Sequence, residues 1–252
     1  MRVLSQPGIL APGPRAGRYL TFALAAPASA RLSARRLSAL LADLSPHVRE
    51  GTLVLGLGPD VLAACAKAGR SRVPGLRVFP ALAGPAVRVP STPVSLWCWL
   101  RGDDPGVLLL QGRSIAHALA PAFVLCDAVD AFRHGRGPNG FGLDLSGYED
   151  GIENPVRAAA TAAALLRGHG PGLDGSSCAS VQQWVHDFAA LDSMSEAARD
   201  AMVGRRRSDS EELDDAPLSA HVKRTAQENF TPPAFVLRRS MPWSAGREAS
   251  TM

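Results

Sequence analysis

Apolar and polar positions alternate over residues 18–25, which predicts a strand. Leucines at 32, 37, 40, 41 and 44 recur at helical spacing and predict a helix from Arg31 to Leu44. Thr52–Leu57 reads as a second strand, followed by a short helix over Pro59–Ala68. The Pro- and Gly-rich stretch Val73–Pro93 reads as a long surface loop. Val94–Leu100 (VSLWCWL) is β-rich and aromatic, Ser114–Ala120 is a helical piece, and Ala122–Phe132 is a strand. The order β-α-β-β-α-β over 18–132 predicts a ferredoxin-like α+β unit.

Beyond Phe132 the pattern weakens. Residues 133–146 form a Gly-rich connection, Ala158–Leu166 is Ala-rich, and 167–177 is again a Gly-rich loop. A second unit then reads as a strand over Ala179–Val185, a helix over Ser195–Val203, a charged loop over Arg205–Pro217 and a strand over Ala234–Ser240. The expected fold class is α+β: two ferredoxin-like units with antiparallel sheets, residues 1–138 and 139–252, the second incomplete. No internal repeat is visible in the residues themselves.

Composition narrows the function classes. Of 252 residues, 46% are hydrophobic and 20% charged, an ordinary globular balance with material for a core. No run approaches about 18 uninterrupted apolar residues, so no transmembrane helix is expected. The pI near 9.2 invites a nucleic-acid reading. The net charge is only +4, however, and the arginines are dispersed rather than gathered on one stripe, so neither a nucleic-acid nor a membrane partner is expected. Cys65, Cys98, Cys126 and Cys178 lie far apart with no C-x-x-C pair, which argues against a zinc site or disulfide framework and fits a reducing, cytoplasmic setting. Against this, Arg15 and Arg18 precede the apolar run Tyr19–Ala26 and the small residues Ala28-Ser29-Ala30, a pattern that mimics an export signal within residues 1–30. The alternative is that residues 18–25 form the first strand.

The segment most suggestive of chemistry is Gly147-Tyr148-Glu149-Asp150-Gly151-Ile152-Glu153-Asn154-Pro155. Read alone, Asp-Gly followed by Asn-Pro describes two successive turns. A carboxylate flanked by glycines can also sit over a cofactor, because glycine lets the backbone approach closely. Four further segments accompany it: Ser180-Val-Gln-Gln-Trp-Val-His-Asp187, Met202-Val-Gly-Arg-Arg-Arg with Glu211 downstream, Ser219-Ala-His221-Val-Lys-Arg224, and Val236-Leu-Arg238-Arg-Ser240-Met-Pro242. Together, in this order and with Gln6-Pro-Gly-Ile-Leu10 near the start, they resemble the dye-decolorizing peroxidases of the shorter bacterial class, from about residue 6 to residue 243. The first segment matches that family's G-x-x-D-G-x-x-N-P signature.

The resemblance implies a haem-dependent peroxidase, an oxidoreductase that uses hydrogen peroxide to oxidise small organic reductants such as dyes or phenolics, with b-type haem as cofactor and a homo-oligomeric assembly. It places the iron ligand at His221, one of six histidines, since neutral imidazole is a standard axial ligand. Asp150 would move the peroxide proton, and Arg238 would supply fixed positive charge, with Ser240 as a hydrogen-bond partner. Arg224 would contact a haem propionate, and Glu149 and Gly151 would lie against the cofactor. The family continues past Trp243 with a strand, a helix and a last strand, which the nine residues Ser244–Met252 do not supply. A non-catalytic haem-binding protein is therefore the alternative reading. A chlorite-dismutase-like protein would share the doubled topology but leave the Gly-x-x-Asp-Gly segment unexplained.

Overall fold

The computed structural model describes residues 5–25, 34–65, 73, 75–85, 87–245 and 248–251, the side chains from 245 onward excepted. The chain divides into two compact units. The first comprises residues 1–130 and 165–180, and the second 131–164 and 181–252.

In the first unit, β1 (Ala16–Leu24), β2 (Leu53–Leu57), β5 (Leu96–Gly102) and β6 (Phe123–Phe132, its last two residues belonging to the second unit) form a sheet in the order β2-β5-β1-β6. β5 is antiparallel to both neighbours: Leu20 faces Cys98 across one ladder and Leu53 faces Leu100 across the other. With helices between β1 and β2 and between β5 and β6, this strand order is that of a ferredoxin-like unit. The period-2 rule sorts the side chains. Leu96, Cys98 and Leu100 are fully buried, together with Leu20 and Phe22, beneath Leu37 of α2 (Ala34–Ala42), Val61 of α4 (Pro59–Cys65), and Leu108, Ile115 and Leu119 of α5 (Pro105–Leu119). On the opposite face Tyr19 stacks between Trp97 and Trp99, with ring centroids 6.0 and 5.8 Å away, and Arg101 sits 4.3 Å above Trp99. The segment of α1 (Pro7–Leu10) closes this edge. Gln6 exchanges two 2.8 Å hydrogen bonds with the backbone of Leu55, and Arg101 donates to the carbonyls of Gly8 and Pro12.

Several expectations are corrected in this unit. The helical piece expected at Ser114–Ala120 is the second half of α5, which begins at Pro105. Asp104 caps it by accepting from the amides of Gly106 and Val107, and Pro105 supplies a preset first-turn φ. The 73–93 loop contains a two-residue ladder, β3 (Leu82–Ala83) with β4 (Arg88–Val89). The apolar run from Tyr19 to Leu24 is an inner strand of the sheet, whereas Ala28-Ser29-Ala30 lie outside the described residues. The helix expected from Arg31 is described from Ala34. No helix of the described residues is long and apolar enough to cross a membrane.

The second unit carries β7 (Gly142–Leu143) paired with β8 (Glu149–Asp150), then α6 (Arg157–Ala164), β9 (Trp184–Val185), α7 (Phe188–Ser193), α8 (Glu196–Val203) and α9 (His221–Thr225). β10 (Pro242–Ala245) and β11 (Glu248–Thr251) form an antiparallel hairpin; β11 pairs with β9, and Trp243 pairs with Ala131. Thus the stretch from Ser244 onward, expected to supply no further element, carries the end of β10 and all of β11. The strand expected over Ala179–Val185 shrinks to its last two residues. The strand expected over Ala234–Ser240 is irregular, for a specific reason. Its alternate amides are taken elsewhere: Ala234 N–H donates to Gln227 O, Val236 N–H to Gln227 Oε1, and Arg238 N–H to Asn154 Oδ1. With those donors engaged, no ladder forms along the segment.

Candidate functional site

The Gly147–Pro155 segment folds as the outgoing strand and turn of the β7–β8 hairpin. Gly147 and Gly151 both have positive φ, +88° and +84°, the region that suits glycine. A Cβ at Gly151 would also come within 2.8 Å of Asn154 Nδ2, so a side chain there would push the Asn154 amide aside. Tyr148, just before β8, and the residues of β8 point to different partners. Tyr148 is buried and donates from its hydroxyl to Asp200 Oδ1 at 2.5 Å; burial first, then the Asp200 carboxylate, push its phenol well above the usual range. Asp150 is exposed, and its Oδ2 accepts from the Ser240 hydroxyl.

The structure therefore brings Asp150 and Ser240 together although 90 residues separate them. Arg238 joins through its backbone, whose N–H donates to Asn154 Oδ1 at 2.7 Å, while the Asn154 amide closes the turn on Gly151 O at 3.1 Å. Among the described residues the Arg238 guanidinium makes no hydrogen bond or ion pair. The adjacent Arg239 is half-buried, and burial lowers its pKa.

Glu149 has a different environment from the one expected. Its Oε1 accepts from the amides of Asn139 (2.9 Å) and Phe141 (3.0 Å) and its Oε2 from Ser210 Oγ (2.7 Å), so this carboxylate closes the hairpin rather than facing a ligand. His221 is the first residue of α9, with Ala220 before it fully buried and its own ring exposed. Among the described residues no carboxylate contacts that ring. Arg224 lies one turn further on, its amide bonded to Ala220 O at 3.1 Å and its side chain exposed.

Sequence reasoning left four members of this constellation unassigned. Asn154 lay inside the motif, and its Asn-Pro context signalled a turn without showing that its side chain reaches residue 238. His186 bonds Asp144 at 3.2 Å and stacks on Phe188, holding the hairpin's incoming end. Gly204 and Arg205 lay inside the Met202-Val-Gly-Arg segment; a glycine directly after a helix was the visible sign of the left-handed cap observed at Gly204.

Among the described residues the unit thus presents an exposed carboxylate on a glycine-bounded turn, a hydroxyl bonded to it, a guanidinium without a hydrogen bond or ion pair, and an exposed imidazole. Residues 142–252 match the family model of the Dyp-type peroxidase C-terminal region. A dye-decolorizing peroxidase of Mycolicibacterium paratuberculosis is 32% identical over 149 residues, covering 58% of this chain and 41% of the relative. One of Rhodococcus erythropolis is 27% identical over 212 residues, covering 82% of this chain and 60% of the relative. Among solved structures, the encapsulated DyP-type peroxidase of Mycobacterium smegmatis superposes with a TM-score of 0.78 at 23% identity, covering 99% of this chain and 81% of that one. A DypB variant of Rhodococcus jostii RHA1 in complex with heme gives 0.76 at 24%, covering 100% and 82%. The chain is thus similar to the dye-decolorizing peroxidases, and its residues 142–252 to the C-terminal region of that family. It spans 41% and 43% of the length of the two mycobacterial relatives it matches.

Proposed function

We propose that this chain is a haem-dependent peroxidase of the dye-decolorizing type, in which residues 139–252 carry b-type haem through His221 and hydrogen peroxide oxidises small organic reductants such as dyes or phenolics. The observation that carries the reading is the Asp150–Ser240 bond, with Arg238 tied by Asn154 to the turn that bears Asp150. The residues present suit a flat apolar macrocycle with anionic substituents. Leu218 is 82% exposed, and Phe230, Phe235 and Val236 are about half exposed, so apolar side chains are available on either side of His221 in the sequence. Arg224 and Arg238 supply charge for propionates or for developing negative charge, and the His221 imidazole is unencumbered.

Haem, when bound, supplies the iron at which peroxide is reduced by two electrons and through which organic reductants are oxidised one electron at a time. The chain's own residues do the rest. Asp150 takes the proton from one peroxide oxygen and returns it to the departing one, work that a carboxylate within hydrogen-bond reach performs. Ser240 orients that carboxylate. Arg238 places fixed positive charge where the O–O bond breaks, which requires a group that stays charged and does not reorganise. Gly151 lets the backbone pass close to the cofactor, and Glu149 acts indirectly by closing the hairpin. We place the protein in the cytoplasm as a homo-oligomer, with neither nucleic acid nor membrane as partner.

The test is to titrate the purified chain with haemin and follow the Soret band, then to measure peroxide-dependent dye oxidation. A saturable band and turnover that requires peroxide are expected. A chain that binds no haemin overturns the reading, and one that binds it without peroxide-dependent oxidation supports the non-catalytic alternative.

A further inference from the structure

Helix α9 has only five residues, too short to hold its own position in water, so something else must orient His221. Two independent features meet it at the turn after α8. Gly204 is buried with φ +89°, its amide closing on Asp200 O at 2.6 Å. A Cβ there would lie 2.3 Å from Val222 Cγ2 and 3.2 Å from Ala220 Cβ, so the two neighbours of His221 sit directly against the bare glycine. The next residue, Arg205, has a side chain only 14% exposed. Its Nη2 pairs with Glu153 Oε1 at 2.5 Å and Glu212 Oε2 at 3.5 Å, and its Nη1 donates to Ser210 O at 3.0 Å. Glu212 in turn accepts from Lys223 Nζ at 2.8 Å. The chain Glu153–Arg205–Glu212–Lys223 thus runs from three residues beyond Asp150 to two residues beyond His221.

We propose that the Gly204–Arg205 turn is the seat of the His221 helix and that Arg205 is a positioning residue, linking that helix to the segment bearing Asp150. The planar guanidinium suits the task because its fork serves two carboxylates and a carbonyl at once, which a lysine ammonium on a flexible stem does not reproduce. Gly204 supplies close approach, and Arg205 supplies register. The relevance to iron ligation rests on the function proposed above, whereas the seating of α9 stands by itself.

The experiment compares the full chain with Arg205→Met, Arg205→Lys and Gly204→Ala. Amide hydrogen exchange is measured on the protein without haemin, and affinity, Soret position and ferric spin state after haemin is added. For Arg205→Met and Gly204→Ala, exchange over 219–226 should accelerate about ten-fold or more while β1 and β5 stay unchanged. Haemin affinity should fall roughly ten-fold with an altered spin state, the usual scale for removing a partner that orients a metal ligand. Arg205→Lys should recover part of each. Wild-type exchange and spectrum in Arg205→Met would overturn the proposal, as would acceleration spread evenly over the whole chain, which would mark a general stability defect. Should the wild-type chain take up no haemin, the proposed function fails, and the exchange over 219–226 still decides the seat.

Discussion

Replacing Asn154 by Ala separates stability from reactivity, two effects that the intact site keeps together. Its Oδ1 is the acceptor for the Arg238 amide at 2.7 Å, and both residues are half-buried. A neutral hydrogen bond of this kind contributes about 1 kcal/mol net, and stranding a fully dry donor would cost about 1–3 kcal/mol. Because water reaches part of this pair, the expected loss is about 1 kcal/mol. For a chain of this size that corresponds to roughly 2–4 °C in melting temperature. The effect on peroxide reactivity should be larger than the effect on stability, because Arg238 loses its tie to the Asp150 turn, and misplacement by about 1 Å can cost on the order of 10²-fold in rate. Asn154→Asp retains an acceptor at the same place and should keep most of the stability. The assay pairs thermal melting with stopped-flow mixing of the haemin-loaded protein and peroxide. An Asn154→Ala variant with unchanged melting and unchanged rate would refute the reasoning, since the 234–240 segment would then be held by something other than this bond.

His221→Ala should abolish the Soret band of the haemin-loaded chain; a variant with the wild-type spectrum would remove His221 as ligand. Arg238→Leu should slow peroxide reaction more than Asp150→Asn, because water can relay protons but cannot supply fixed charge; loss of a charge-stabilising donor is about 10²–10³-fold, and wild-type rates in both variants would exclude both residues. Tyr148→Phe deletes the 2.5 Å bond to Asp200, whose partly exposed carboxylate makes about 1–2 kcal/mol reasonable; a urea midpoint that does not move would show the bond to be idle. The Cys98 thiol is fully buried, and burial pushes its pKa up to about 12. The folded thiol is thus harder to ionise than the unfolded one (about 8.5), so its stabilising contribution is complete below the unfolded value and is lost as pH rises toward the folded one. Wild-type stability should decline more than that of Cys98→Ala between about pH 8 and pH 11, and equal declines would contradict the assignment.

The residues alone determined most of the first unit. Alternation in Tyr19–Leu24, the aromatic and β-branched runs at 94–100 and 122–132, and the leucine spacing at 37–44 carry local information, because period-2 and period-3.6 burial demand apolar side chains at those intervals. They even carried the order of elements that defines a ferredoxin-like unit. The start of α5 was also written there, in Asp104-Pro105, but Gly106 and Gly112 within the helix obscured it; Gly112 is tolerated because Arg18 and Leu20 of β1 pack where its side chain would be. In the second unit the segments that carry chemistry were legible as motifs, while their geometry was not. Residues 234–240 have strand-like composition, yet Gln227 and Asn154 capture their alternate amides, and no local pattern announces a side chain 84 positions away. The same holds for Ser240 on Asp150, for Glu149 turned to its own hairpin, and for Arg205 between Glu153 and Glu212. Local propensity depends on neighbours within a turn or a pleat. Hydrogen bonds and ion pairs across 50 to 90 residues exist only once the chain has folded, and those contacts decided which candidate side chains meet.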